Sequence, residues 1–381
     1  MKRHLFAALA IAGALAATTA RAEITVGVSL GTTGPGSSLG IPYKNAFQLL
    51  PKTLGGEPVK YIILDDESKP DNAAKNARKF VTEDKVDAIM GSNGVPSAVA
   101  MTAVAAESKT PMIALTPVPP LAPDRLHWTF VVPQTTELMM SAVVEHMKAH
   151  GVKTVGYIGF SDTWGDLVYN AITALALAPA GGYKVVTNER YGRADTSVTG
   201  QVLKVMAANP DAVIVGGSGS PGATPHIALA ERGYKGQIYH NHGTVNLPFI
   251  QTGKKAVEGA IAPTGALIVA EELPDNFPTK KVSLDFVKRY EAAFGPGSRN
   301  AFAGYSFDGV QLLDAAVPVA LKKAKPGTPE FREALRDALE NVRNVVGTHG
   351  VYNMSAANHN GLDERARVLV RVENGAWRLL K

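Results

Sequence analysis

The residues of this chain that could do chemistry are few and lie in glycine-rich turns. The stretch Gly91-Ser92-Asn93-Gly94-Val95-Pro96-Ser97 leads from a short apolar run into a segment of small residues ending at Glu107. Backbone N–H groups at the start of a helix have no partner inside it, and the helix dipole favours an anion there. No lysine follows and the spacing is not that of a phosphate loop, so a carboxylate suits the turn better than a phosphate. His240-Asn241-His242 could offer two imidazoles to a metal, but a third ligand is not placed by the sequence. The segment Gly216–Ser220, GGSGS, lacks the last glycine of a nucleophile elbow, and H-E-x-x-H is absent. With no cysteine in the chain, disulfides, thiolate metal sites and cysteine nucleophiles are excluded. These observations predict a binding protein and not an enzyme, with no cofactor and no metal.

Elements must bring such turns together. From Ile24 onward apolar runs of strand length alternate with helical patterns: ITVGVSL, then a helix around Ile41 to Leu50; VKYIILDD, then PDNAAKNARKFVTED; VDAIMGS, then PSAVAMTAVAAESK; and PMIALT. The rhythm repeats after HWTFVVPQTTE, with KTVGYIGF before a helix from about Asp166 to Ala178, YKVVTNERY, DAVIVGG and GQIYHNHG. Alternation of this kind predicts βαβ units, hence an α/β fold of two Rossmann-like lobes with parallel sheets. Six turns, SLGTTGPGSS, GSNGVPS, LTPVPP, GFSDTWGD, GGSGSPG and HNHGTVN, each follow an apolar strand. Ligands of open α/β sheets bind at those carboxyl ends, so the six are expected to face one cleft. The remainder holds three helical patterns, KKVSLDFVKRYEAAF, GYSFDGVQLLDAAVPVALKKA and TPEFREALRDALENV, and a final hairpin turning at Asn374-Gly375.

Lys2, Arg3 and His4, an apolar run from Leu5 to Ala17 and the small-x-small pattern Ala20-Arg21-Ala22 read as a secretory signal peptide cut after Ala22. The mature protein is therefore expected to be exported. Its loss removes three of 39 basic residues against 34 acids, taking the net charge from +5 to +2. No basic stripe interleaved with aromatics remains, and nucleic acid is set aside.

The segments ITVGVSLGTTGPGSSLG, ILDDESKPDNAAKNARKFVTEDKVDAIMGS, FSDTWGD, ANPDAVIVGG and AGYSFDGVQLLDAA followed by FREALRDALE resemble the periplasmic substrate-binding proteins of ABC importers, of the leucine/isoleucine/valine-binding type. The resemblance spans nearly all of the mature chain. It implies the type I fold, two lobes joined by three crossover segments, here near Val132–Gln134, Ala262–Gly265 and Val345–Gly350. Lobe 1 would then hold 23–133 and 265–346, and lobe 2 would hold 134–264 and 347–381. It also implies the periplasm as the protein's location, an ABC permease and ATPase subunits as partners, and a monomer that closes on its ligand.

The family's pocket, carried over residue by residue, gives Asn93, Gly94 and Val95; Thr116, Pro117 and Val118; Trp164; Ser218 and Gly219; and His242, with Leu39 from the first turn. Val95 stands where amino-acid binders use serine for the ligand's α-carboxylate, Val118 where they carry threonine. His242 stands where an acidic residue pairs with the ligand ammonium, and a buried unpaired ammonium costs several kcal/mol. Trp164 replaces a tyrosine and Ser218 another. The expected ligand is therefore a small organic acid, an aromatic or apolar carboxylate, with a 2-oxo or hydroxy acid included. A branched-chain or other hydrophobic amino acid is the alternative, and a sensory module that reports ligand to a receptor is a second use of the same architecture.

Overall fold

The computed structural model of the chain describes residues 23–179 and 181–380. The expected signal peptide, residues 1–22, lies outside them. Among the described residues no helix is long and apolar enough to cross a membrane.

The first sheet is built on Ile24–Leu30, which pairs in parallel with Glu57–Asp65 on one side and Ala88–Gly91 on the other, with Met112–Ala114 and Thr129–Val131 beyond. Val26 and Val28 alternate into one core while Ile89 and Met112 join another, as a sheet covered on both faces requires. Helices Pro70–Thr82 and Val95–Glu107 cover one face, burying Ala73, Ala77, Phe80, Ala98 and Met101. The long helix Ala301–Leu321 covers the other face and packs on Ser37–Ala46.

The second sheet has Thr154–Phe160, Ala212–Gly216, Gln237–His240 and Ile261–Thr264 as a parallel centre. Its edge is antiparallel: Val368–Glu373 pairs with Ile261–Thr264 and then with Ala376–Leu379, the hairpin turning at Asn374-Gly375. YKVVTNERY, read as one strand, is two short ones, Lys184–Val185 and Glu189–Tyr191.

The first passage between lobes falls between Thr129–Val131 and helix Thr136–Ala149, whose Met140 and Val143 enter the second core. The second lies beyond the expected Ala262–Gly265, because Ala266, Ile268, Val269 and Leu273 stay packed with the second lobe. The third differs more. Tyr352 and Met354 are buried in the first core; the Tyr352 hydroxyl donates to Asp308 Oδ2 at 3.0 Å, and Asn360 Nδ2 donates to the Val131 and Pro133 carbonyls at 2.9 and 2.8 Å. The chain therefore stays on the first lobe past Val345–Gly350 and reaches the second sheet only at Val368. A buried tyrosine whose hydroxyl finds Asp308 and the Val132 carbonyl, both of the first lobe, holds it there.

Candidate functional site

A cavity lies between the lobes at the carboxyl ends of both sheets. Nine of the eleven positions expected from sequence line it: Leu39, Asn93, Gly94, Val95, Thr116, Pro117, Trp164, Ser218 and His242. Val118 and Gly219 do not. The prolines after Val118 carry the chain away, so that its side chain packs against the outer core of the first lobe and faces a separate groove with Pro119 and Leu121. Gly219 sits where the lobes touch, with a φ of +58° that favours glycine.

Turn chemistry places the first-lobe residues. Asn93 lines the cavity, but its side chain is committed to the fold: Oδ1 accepts from Gly31 N–H at 2.7 Å and Nδ2 donates to the Gly36 carbonyl at 3.2 Å. It braces the turn, leaving Gly94 and Val95 to present backbone at the start of helix Val95–Glu107. Pro96 fills the next position, where a missing N–H costs nothing.

In the second lobe Asp162 caps helix Thr163–Leu177, its Oδ1 accepting from Trp164 N–H at 2.9 Å and Gly165 N–H at 3.3 Å. That cap aims Trp164, which is buried, and its indole N–H donates to the Gly217 carbonyl at 3.2 Å. The polar edge of the indole is thus satisfied by protein, and the ring is an apolar wall. His242 meets it edge to face, with centroids 5.3 Å apart at 87°. Asn241 holds this turn by accepting from Gly243 N–H and donating to the Val215 and Gly217 carbonyls.

His242 is neutral at ordinary pH. Burial, reinforced by His349, lowers its pKa to about 3, and its Nδ1 is buried with no hydrogen-bond partner. The two imidazoles of His240-Asn241-His242 diverge, since His240 pairs with His226 at 2.8 Å. No group of three His, Cys, Asp or Glu among the described residues could hold a metal.

Four residues that the sequence reading did not single out dominate the lining. Tyr43, Phe302 and Tyr305 form an aromatic group with centroids 5.8 to 6.4 Å apart. The hydroxyl of Tyr43 donates to the Leu115 carbonyl, and that of Tyr305 to Gln134 Oε1 at 2.7 Å. Arg193 is the fourth: Nε contacts Asp162 Oδ2 at 2.5 Å, Nη1 donates to Ser218 Oγ at 3.3 Å, and the guanidinium lies 4.3 Å from the centre of the Phe160 ring. Its turn, YGRADTS, follows the short strand Glu189–Tyr191, whose glutamate and arginine give no apolar run to mark a strand end. Tyr305 lies within AGYSFDG, which marks a helix but not which face of it meets the cleft.

The sequence model of the family described as periplasmic binding protein matches residues 23–376. A solved extracellular ligand-binding receptor from Rhodopseudomonas palustris HaA2 is 47% identical, covering 94% of this chain and 100% of that one with a TM-score of 0.92. A solute-binding protein of an R. palustris ABC transporter, solved with benzoate, is 22% identical over 94% of this chain and 95% of its own, with a TM-score of 0.77; at that identity the likeness is one of fold. An amino acid binding protein of Pseudomonas aeruginosa is 26% identical over 337 residues, 81% of this chain and 82% of that protein. With two α/β lobes, a cavity at the strand ends between them and a family match over nearly the whole described length, the chain belongs to the periplasmic binding proteins, in their type I form.

Proposed function

We propose that this protein captures a small aromatic or apolar carboxylate, a 2-oxo or hydroxy acid included, and delivers it to an ABC permease with its ATPase subunits. The observation that carries the reading is the charge of the cavity. Among the described residues that line it, Arg193 is the one charged side chain and none is a carboxylate. A bound α-ammonium would be buried without an anionic partner, at a cost of several kcal/mol. A carboxylate would meet a guanidinium and the Ser218 hydroxyl, with the backbone of Gly94 and Val95 at a helix start nearby. The apolar body of the ligand would lie between Trp164 and the group of Tyr43, Phe302 and Tyr305, where aromatic pairs gain about 0.5–1.5 kcal/mol beyond burial. Contacts to both lobes favour the closed state by differential affinity, and no covalent step is needed. Export with cleavage after Ala22 belongs to the same reading, and N-terminal sequencing of the secreted protein would then begin at Glu23.

The P. aeruginosa relative, an amino acid binding protein, makes an amino acid the competing ligand, and one experiment separates the two. Refolded, ligand-stripped protein is melted with benzoate, phenylpyruvate, leucine or phenylalanine. A ligand at a hundred times its dissociation constant adds about 2.7 kcal/mol, a shift of several degrees. The acids are expected to stabilise and the amino acids not. Stabilisation by leucine alone would overturn the proposal.

A further inference from the structure

The two lobes touch each other directly across the cleft. Val95 begins a first-lobe helix, yet it is 2% exposed and packs in the second lobe's apolar cluster with Trp164 and Phe160. Its helix lies against Thr163–Leu177 of that lobe. Elsewhere in the cleft Ser220 N–H donates to Ser38 Oγ at 3.3 Å. Beside this bond a Cβ on Gly219 would fall 2.5 Å from Ser38 Oγ and 2.6 Å from a Leu39 methyl carbon. Only a residue without a side chain lets the first lobe come so near. Gly219 is itself anchored, its N–H donating to the Gly243 carbonyl at 2.8 Å.

We propose that Val95, Leu39, Gly219 and the Ser38–Ser220 hydrogen bond form a latch that draws the lobes together without ligand, so that the empty protein spends a substantial share of its time closed. Opening returns the Val95 and Leu39 side chains to water, which is unfavourable in proportion to the apolar area exposed. A serine in place of Val95 would leave the cleft as content wet as dry. Apparent affinity scales with the fraction of protein already in the binding-competent state. Val95 is thus a positioning residue: it strengthens every ligand by the same factor. A cavity with a single charged side chain can then still hold a small ligand firmly.

The absence of cysteine permits a clean test. Ser68 and Arg193 line the groove at the cleft mouth from opposite lobes, and their exposed neighbours Lys69 and Thr196 can be changed to Lys69→Cys and Thr196→Cys for spin labels. Electron–electron distance distributions are recorded on refolded, ligand-stripped protein. The expected result is a short-distance population of at least about a tenth, depleted by Val95→Ser and also by Ser38→Ala, a partly exposed residue outside the cavity lining. Titration with benzoate and with phenylpyruvate should show Val95→Ser weakening both by the same factor, on the order of tenfold. A single long distance in the empty, unmutated protein overturns the latch. So does a loss on Val95→Ser confined to one of the two acids, which would make Val95 a ligand contact. The distance measurement needs no ligand, so if neither acid binds, the ligand reading fails while the latch is still decided.

Discussion

At the scale of single residues, Arg193 and His242 divide the polar work of the cavity. Arg193 is already paired with Asp162, so its charge is fixed in place and partly neutralised before a ligand arrives; what it offers is a pre-organised pair of donors. Arg193→Met keeps an unbranched apolar stem over the Phe160 ring and removes the donors. A hydrogen bond to a charged group contributes about 1.5–3 kcal/mol, so affinity for benzoate should fall ten- to a hundredfold or more. Arg193→Lys should recover part of it, because an ammonium keeps the charge but loses the planar fork. Unchanged affinity in the methionine variant, measured by calorimetry, would place the acid group elsewhere. His242 makes the opposite prediction. With its pKa lowered to about 3 by burial, it stays neutral throughout the ordinary range and offers one N–H. Benzoate affinity should therefore be flat between about pH 8 and 5.5, above the titration of the acid itself. Tightening as pH falls through about 6.5 would show an imidazolium at this position instead.

At the scale of elements, one capping residue sets much of the second-lobe wall. Asp162 satisfies the first amides of helix Thr163–Leu177 through Oδ1 and holds Arg193 through Oδ2. Asp162→Ala should destabilise the protein by about 1–2 kcal/mol in chemical denaturation, whereas Asp162→Asn, an equally good cap, should cost much less while still freeing Arg193. If alanine and asparagine cost the same, the ion pair and not the cap carries the stability. The same element shows what sequence makes legible. Strand, turn and helix around Phe160-Ser161-Asp162-Thr163-Trp164 follow from local rules: an apolar run, an Asx cap, a helical period. So do helix Lys280–Phe294 and the hairpin at Asn374-Gly375. Residues on turns at strand ends, such as Thr116, Ser218 and His242, were therefore accessible from sequence. Tyr43, Phe302 and Tyr305 were not: Phe302 and Tyr305 lie in a helix buried on several sides, where no period tells which buried side faces a cleft, and Tyr43 shares the one buried face of its helix with core residues such as Ala46. The third passage was misplaced for a similar reason. Short apolar pieces such as Val351-Tyr352 carry no mark of which lobe they join, and the decision rests on Tyr352 finding Asp308 across 44 residues of chain.

At the scale of the whole molecule, burial of histidine links folding to acidity. His226, His242 and His349 are held near pKa values of about 4, 3 and 4 by desolvation, and burial also pushes His240, stacked on His226, well below its ordinary value. For each, the unfolded chain takes up its proton near pH 6.5 while the native state does not. Stability is thus intact above about pH 6.5 and is lost as pH falls toward the native values, by about 1.4 kcal/mol per pH unit for each histidine. Asp308 acts in the opposite sense. Burial pushes its carboxyl up to about 6, despite hydrogen bonds from Thr348, His349 and Tyr352. The native state then holds that proton between about pH 3.8 and 6, so its contribution to stability grows on acidification and disappears as pH rises through 6. Asp66 and Asp87, also raised by burial, lean the same way. The histidine loss sets in below about pH 6.5 and steepens toward pH 5, and below pH 6 the carboxyls offset part of it. Denaturant unfolding of ligand-stripped protein at pH 7, 6 and 5 should show a fall at each step, totalling several kcal/mol. His349→Gln should lessen the loss if the substitution is accommodated, and proton-resolved NMR of the imidazoles would check the same assignment without a variant. Stability that is flat from pH 7 to 5 would mean that the buried histidines are protonated in the native protein.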